Sequence, residues 1–276
     1  TANNIARSCA GQYIRKAARL CYWPRMCIIS LAWQAHPKWK LVAIGNRDEM
    51  HSRPAEPLSR WPESRDILAG KDAQAGGTWL GVSEQGRFAA VTNLSGYGPA
   101  DSSRASRGNL LKEFLAREGT GADLERVSFR QFNPFNLFTI EKNEARAHSN
   151  RPDPISRLLA PGIHGLTNGP LDHPWPKAAS LNAALEDWLQ SGSVDPEPLL
   201  DALASRTTYP RAAVADPPAV LEPASSAIFI DNPVYGTRCS TIVTIDRDGN
   251  GTMLERRYDA STAPAGETCL TFRWPD

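Results

Sequence analysis

Cys27 follows Met26 directly and opens an apolar, β-branched run, Cys27-Ile28-Ile29-Ser30-Leu31-Ala32-Trp33, of the kind that forms a buried strand. If Met26 is the initiator and is removed, Cys27 carries both a thiol and a free α-amine. Such an amine titrates near ~8, so a useful fraction is neutral at cellular pH and can take the thiol's proton. Nucleophile and base then sit in one residue. The plain alternative is a free cysteine acting as a small core hydrophobe, a common role for that residue.

Four polar groups end apolar runs elsewhere in the chain: Asn46-Arg47-Asp48-Glu49, Thr92-Asn93, Thr167-Asn168 and Thr237-Arg238. Strand ends gather on one rim of a sheet, so all four are expected to face Cys27. Arg47 and Asp48 suit orienting an α-amine and holding a thiolate. Asn93 suits an oxyanion hole, because acyl transfer needs donors aimed at the oxygen that becomes negative. Asn168 suits holding the amine or a substrate amide, and Arg238 suits lowering the thiol pKa or gripping a carboxylate. Taken singly, each reads equally well as a turn former or a surface charge. Together they are the set that cysteine acyl chemistry needs.

The elements that must position these residues follow from periodicity. A strand over Cys27–Trp33 and another over Trp39–Gly45 form a hairpin that stops at the polar run. The proline-bearing stretch Arg53–Pro62 reads as loop. Gly76–Val82 and Arg87–Leu94, and then Phe135–Ile140 and Ala145–Ser149, read as hairpins, with Ile163–Asn168 a short strand. Ser106 caps a helix over Asn109–Arg117 that stops at Gly119, Trp175–Gln190 is an amphipathic helix, and Pro198–Ser205 is a short one. Tyr209–Ala224 is proline-rich loop, and Ala227–Ile230, Cys239–Asp246, Thr252–Tyr258 and Thr268–Trp274 are strands. Strands at both ends with helices between predict two stacked sheets covered by helices, an α+β fold.

Composition narrows the class. Among 276 residues, 31 Lys and Arg oppose 30 Asp and Glu, so bulk charge drives binding to neither nucleic acid nor anionic membrane. The apolar runs are too short to span a bilayer. The 5 cysteines (Cys9, Cys21, Cys27, Cys239 and Cys269) are odd in number, lack any C-x-x-C pair and argue for a reducing compartment without a disulfide frame or zinc site. Residues 1–25 contain five basic and no acidic side chains, and Gln12–Cys21 can form a basic amphipathic helix. That segment is expected to lie outside the fold as an extension, targeting or pro-segment, leaving 26–276 as one domain. The expected location is cytoplasmic, or mitochondrial if residues 1–25 are a transit segment. Oligomeric state is not legible.

Met26-Cys27, Asn46-Arg47-Asp48-Glu49, Arg53-Pro54, Ala75-Gly76-Gly77-Thr78-Trp79-Leu80-Gly81, Thr92-Asn93, Ser106-Arg107-Gly108, Pro134-Phe135-Asn136-Leu137, Pro161–Asn168 and Tyr235-Gly236-Thr237-Arg238 together resemble the NRDE family, also called the transport and Golgi organisation 2 (TANGO2) family. The resemblance covers Met26 to the C-terminus. It implies a four-layer αββα sandwich like the N-terminal-nucleophile hydrolases, and the polar set resembles that of their cysteine branch, the choloylglycine hydrolases and penicillin V acylases. By that resemblance Cys27 is nucleophile and base, Arg47 and Asp48 its supports, Asn93 and Asn168 the oxyanion and amine contacts, and Arg238 a charge partner. The implied reaction cleaves a linear amide (C–N, non-peptide) bond of a small molecule through an acyl-Cys27 intermediate, with no cofactor or metal. With residues 1–26 attached, Cys27 lacks the free amine this reaction uses. The family also implies a second reading, a haem or lipid carrier without hydrolase activity. His36, His51, His148, His164 and His173 are the candidate haem ligands, and none forms a motif-like pair.

Overall fold

The computed structural model describes residues 26–171, 175–209 and 226–275. The expected helix over Gln12–Cys21, His173 and all of the proline-rich stretch but Tyr209 lie outside them. In chain order the strands are β1 (Ile28–Trp33), β2 (Trp39–Met50), β3 (Ala55–Trp61), β4 (Ser64–Asp72), β5 (Leu80–Ser83), β6 (Arg87–Asn93) and β7 (Phe135–Glu141). They continue with β8 (Glu144–Ser149), β9 (Ile155–Leu158), β10 (Gly162–Leu166), β11 (Tyr235–Asp246), β12 (Asn250–Tyr258) and β13 (Pro264–Arg273). The helices are α1 (Arg107–Ala116), α2 (Pro176–Gln190) and α3 (Glu197–Leu203).

Two antiparallel sheets form, one in the order β10-β1-β2-β11-β12-β13 and one in the order β3 through β9. Side chains alternate across a strand, and the apolar positions of β1 and β2 use both faces. Ile29, Leu31, Trp33, Leu41 and Ala43 enter the core between the sheets, against Leu68, Val82, Phe88 and Phe138 of the second sheet. Ile28, Ala32, Val42 and Ile44 point the other way, into a cluster with Leu181, Leu185 and Trp188 of α2 and Leu199, Leu200 and Leu203 of α3. The outer face of the second sheet buries Ile67, Ala69, Ala89 and Leu137 against Leu110, Leu111, Phe114 and Leu115 of α1. The layers therefore run αββα, the order the resemblance implies.

Several expected boundaries move, each for a physical reason. The polar run Asn46–Glu49 lies inside β2 instead of ending it, because β11 pairs with it throughout: Ser240 stands opposite Asn46, Cys239 opposite Arg47, Thr237 opposite Asp48 and Gly236 opposite Glu49. Residues Ala55–Trp61 form a strand where loop was expected. β3 is the edge of its sheet, where Pro57 removes no needed ladder bond, and the register shifts beside it, between Glu56 and Ser59. α1 stops at Arg117, whose left-handed backbone (φ 58°) caps the helix, not at Gly119. Ala227–Ile230 is no sheet strand but a strap, tied to β11 by Ile230 N–H to Thr237 Oγ1 at 2.9 Å and Thr237 N–H to Ile230 O at 3.1 Å. Its apolar side chains are buried, which gave the strand-like pattern.

The Gly76-Gly77-Thr78 turn fixes α1 against the second sheet. Thr78 N–H donates to Gly108 O at 3.2 Å, and a Cβ on Gly77 would stand 2.1 Å from the Gly108 carbonyl carbon. Only glycine permits that approach. Gly77→Ala is therefore expected to destabilise the fold by about 2–3 kcal/mol, the scale of a backbone clash that forces elements apart. Urea unfolding checks it, and an unchanged midpoint would show that the turn tolerates a side chain.

Candidate active site

β1 and β2 pair with Ile28 opposite Asn46, and β1 and β10 pair with Ile29 opposite Leu166. The same registers carry Arg47 of β2 and Asn168, just past β10, up to the level of Cys27 on either side. β11 flanks β2, and Asn93 ends β6 on the other sheet. One end of the sandwich thus collects the polar strand ends. A cleft of about 740 Å³ opens there, lined by Cys27, Arg47, Asp48, Asn93 and Arg238 among others. Five of the six candidate residues meet around it. Asn168 does not line it; its side-chain amide instead donates to Asn93 O at 2.7 Å, and Ser95 N–H donates to Asn168 O at 2.9 Å. Asn168 thereby ties the end of β10 to the end of β6.

Cys27 is buried, its Sγ 3.7 Å from Asp48 O. Met26, in peptide linkage before it, is also buried, packed with Ala227, Ile230 and Tyr235. Met26 N–H donates to Tyr235 Oη at 2.7 Å, and that hydroxyl donates to Asp48 O at 3.0 Å. Burial, and then the charge of Asp48, push the Cys27 thiol up to about 12; the Asp48 carbonyl and the Arg47 charge only partly oppose this. In the chain that retains Met26 the sulfur is a neutral thiol.

The run Asn46–Glu49 splits by strand alternation. Asn46 and Asp48 face the helix layer with Ile44, while Arg47 and Glu49 face between the sheets. Asn46 is a staple: Nδ2 donates to Leu203 O and Ile228 O, both at 2.8 Å, and Oδ1 accepts from Ser240 Oγ at 2.7 Å. Asp48 is less completely satisfied. Oδ1 accepts from Thr237 Oγ1 at 2.7 Å, but buried Oδ2 has no hydrogen-bond partner among the described residues. Burial pushes its carboxyl up to about 7, with Lys177, the Thr237 hydroxyl and Arg47 pulling it back down.

Arg47 Nη2 reaches Asp72 Oδ2 of β4 at 3.5 Å, and Arg53 Nε reaches the same oxygen at 2.7 Å, so the two sheets are tied by charge beside the cleft. Arg238 occupies a bulge, where the β11 register shifts between Thr237 and Cys239. Its Nη1 donates to Met50 O, His51 O and Arg53 O at 3.0, 3.2 and 3.1 Å, which anchors the chain leaving β2. Burial and the nearby Arg47 charge lower its pKa.

Two contributors escaped the sequence reading. Tyr235 was quoted only as part of a motif, yet its hydroxyl links the Met26 amide to Asp48. Lys177, in the first turn of α2, is fully buried and is the strongest charge favouring ionised Asp48. A signal existed: Lys177 falls four and eight residues before Leu181 and Leu185, on the apolar stripe of the helix. Of the candidate haem ligands within the described residues, none lines this cleft. His148 sits instead in a second cleft of about 560 Å³, with Nε2 2.8 Å from Thr139 Oγ1 and its pKa lowered by burial to about 4. No metal-ligating cluster of three or more His, Cys, Asp or Glu occurs among the described residues. No described helix is long and apolar enough to cross a membrane.

Residues 26–260 match the family described as Transport and Golgi organisation 2. A Transport and Golgi organization protein 2 homolog from Homo sapiens is 32% identical over 84% of this chain and 92% of its own length. The Bos taurus homolog is 31% identical over 88% of this chain and 97% of its own. Among solved structures, a Caenorhabditis elegans N-acylethanolamine-hydrolyzing acid amidase ortholog aligns with TM-score 0.44 and 11% identity over 79% of this chain and 91% of its own. A mutant conjugated bile acid hydrolase from Clostridium perfringens aligns with TM-score 0.38 and 7% identity over 91% of this chain and 97% of its own.

Two outcomes are expected from these electrostatics. In the folded chain that retains Met26, iodoacetamide modifies exposed Cys269 at least about tenfold faster than Cys27 at pH 7.5, since thiolate fraction and access both favour Cys269. Peptide mass spectrometry reads the order, and equal rates would rule out a neutral, buried Cys27. Asp48 titrates higher folded than unfolded, so its contribution to stability is full in acid and is lost as pH rises from about 4 through about 7. Asp48→Asn should flatten that dependence, removing up to about 4 kcal/mol of the loss across this range. Urea unfolding from pH 4 to 8 checks it; parallel curves for the two proteins would refute the buried, raised carboxyl.

Proposed function

This chain belongs to the Transport and Golgi organisation 2 family, and from that membership and its cleft we propose that it is a cysteine hydrolase of the N-terminal-nucleophile type. Its reaction is cleavage of a linear amide C–N bond, outside peptides, in a small molecule. The observation that carries this reading is a pair of buried acceptors, Oδ2 of Asp48, whose charge acts on Cys27, and Oδ1 of Asn168, which the register brings to the level of Cys27, that lack hydrogen-bond donors among the described residues. Buried acceptors without donors are costly and seldom left so. The α-amine that appears on Cys27 once Met26 is removed supplies those donors at the right level of the sheet.

In the processed chain the amine accepts the thiol proton as Sγ attacks the substrate carbonyl carbon. Asn93, on the opposite wall, donates to the oxygen that becomes negative, and the Arg47 charge favours the thiolate. The amine then passes its proton to the departing nitrogen, leaving an acyl-Cys27 thioester. Water attacks the thioester, and the acid and the free thiol are restored. No cofactor or metal takes part. Residence in the cytoplasm, with mitochondria as the alternative if residues 1–25 are a transit segment, belongs to the same proposal.

The raised thiol of the chain that keeps Met26 supports a second reading, a carrier of haem or lipid that keeps the fold without the reaction. Its cleft volume is within the range of small-molecule sites.

Intact mass and N-terminal sequencing of the protein from its own cell separate the two. A chain starting at Cys27 that hydrolyses acyl amides, with turnover falling about a thousandfold or more in Cys27→Ala, is the expected outcome. A chain that keeps Met26, is inert toward amides and binds haem or a fatty ligand saturably, also as Cys27→Ala, would replace the hydrolase with the carrier.

A further inference from the structure

Lysine is among the residues least often fully buried, because removing an ammonium from water is costly unless a partner compensates. Lys177 has no exposed surface, and it stands in the first turn of α2, where the helix dipole opposes a positive charge. Two unfavourable terms therefore act on one side chain. Trp175 and the Ala227 carbonyl offset them in part, with Nζ 5.7 Å from the indole ring and 3.5 Å from Ala227 O. Neither carries a full negative charge.

The fold supplies an acid. Alternation along β2 turns Asp48 toward the helix layer, on the face of Ile44 and Asn46. The phase of α2 turns Lys177 toward that sheet, on the stripe of Leu181 and Leu185, which pack in one cluster with Ile44. Ala227, which accepts from Lys177 Nζ, packs against Met26 and Tyr235, and the Tyr235 hydroxyl donates to Asp48 O. The ammonium thus enters the site from behind, on the side opposite the open cleft. The ionisable groups whose charges act on or are acted on by Asp48 are Arg47 and Glu49, its strand neighbours on the opposite face, Cys27 ahead of β1, Tyr235 of β11 and Lys177 of α2. Of these, Arg47 is shared with Asp72 across the cleft.

We infer that Lys177 is a positioning residue of the Cys27 site, its buried ammonium approaching Asp48 from the helix layer and opposing protonation of that carboxyl beside the nucleophile. A charged Asp48 can hold the Cys27 amine as an acceptor, whereas a protonated one presents a hydroxyl donor in its place. Lys177 touches no substrate; it acts through Asp48. The catalytic consequence rests on the hydrolase reading above, while the ionisation of Asp48 does not.

The test is a carbon-13 NMR titration of the Asp48 carboxyl, assigned with Asp48→Asn, in the wild-type chain and in Lys177→Met and Lys177→Arg. Lys177→Met should raise the Asp48 midpoint by at least about one pH unit, and Lys177→Arg should hold it near the wild-type value. An unchanged midpoint in Lys177→Met overturns the proposal. If Lys177→Met does not fold, the double variant Lys177→Met/Asp48→Asn decides. A folded double variant means that the lone carboxylate was the fault, and an unfolded one means that Lys177 serves packing alone. With an active wild-type enzyme, the acid limb of kcat/KM should move upward with the Asp48 midpoint in Lys177→Met. An inactive wild type removes the hydrolase reading and leaves the titration to judge Lys177.

Discussion

The antiparallel pairing of β2 with β11 is the constraint on which the rest depends. It runs from Trp39 opposite Asp246 to Met50 opposite Tyr235, through the centre of the first sheet. Side chains alternate with period two, so a slip of one residue would exchange the faces of the whole strand. Asp48 would then turn into the space between the sheets, and Arg47 would meet the helices. The apolar residues Leu41–Ile44 prevent that slip, because Leu41 and Ala43 belong to one core and Val42 and Ile44 to another. Register set by ordinary hydrophobic packing at one end of β2 thereby aims the charged groups at the other.

The bulge at Arg238 completes this geometry. One extra residue in β11 lets Thr237 meet Asp48 and Cys239 meet Arg47 while Arg238 turns aside to hold three main-chain carbonyls. Those carbonyls belong to the chain that leaves β2 for the second sheet. Arg53, at the end of that connection, pairs with Asp72 of β4. Bulges are built features of strand pairs near functional sites, and this one joins the two sheets at the mouth of the cleft.

Two neighbours in sequence show how polar burial can serve different ends. Asn46 has each of its polar atoms bonded, two carbonyls on one side and a hydroxyl on the other, and it fastens the helix layer to the sheet. Asp48, two residues on and on the same face, keeps an oxygen without a hydrogen-bond partner among the described residues and a carboxyl pushed up to about 7. The first arrangement stabilises the fold. The second draws on that stability, as sites organised for chemistry commonly do. Lys177, buried in the first turn of α2, acts on the second through its charge.

Much of this was legible in one dimension because it depends on local periodicity. The runs after Cys27, the hairpins around Gly86 and Lys142, the Ser106 cap and the stripe of α2 all announce themselves by spacing, and their polar ends pointed to one rim. What sequence alone determined is the set of elements, the layers they must form to bury two-faced strands, and the residue types available for chemistry. Tertiary structure decided the rest. Asn46–Glu49 looked like the end of a strand because nothing local reveals that β11, nearly two hundred residues away, pairs with it. Ala55–Trp61 looked like loop because a proline is tolerable only once the strand is known to lie at an edge. Asn168, expected to hold the amine or a substrate amide, also braces Asn93 through its side-chain amide, and Lys177 went unremarked because its buried partners lie on other elements. Burial, charge pairing and hydrogen-bond completion are properties of neighbours brought together by long-range contacts, so no local pattern could assign them.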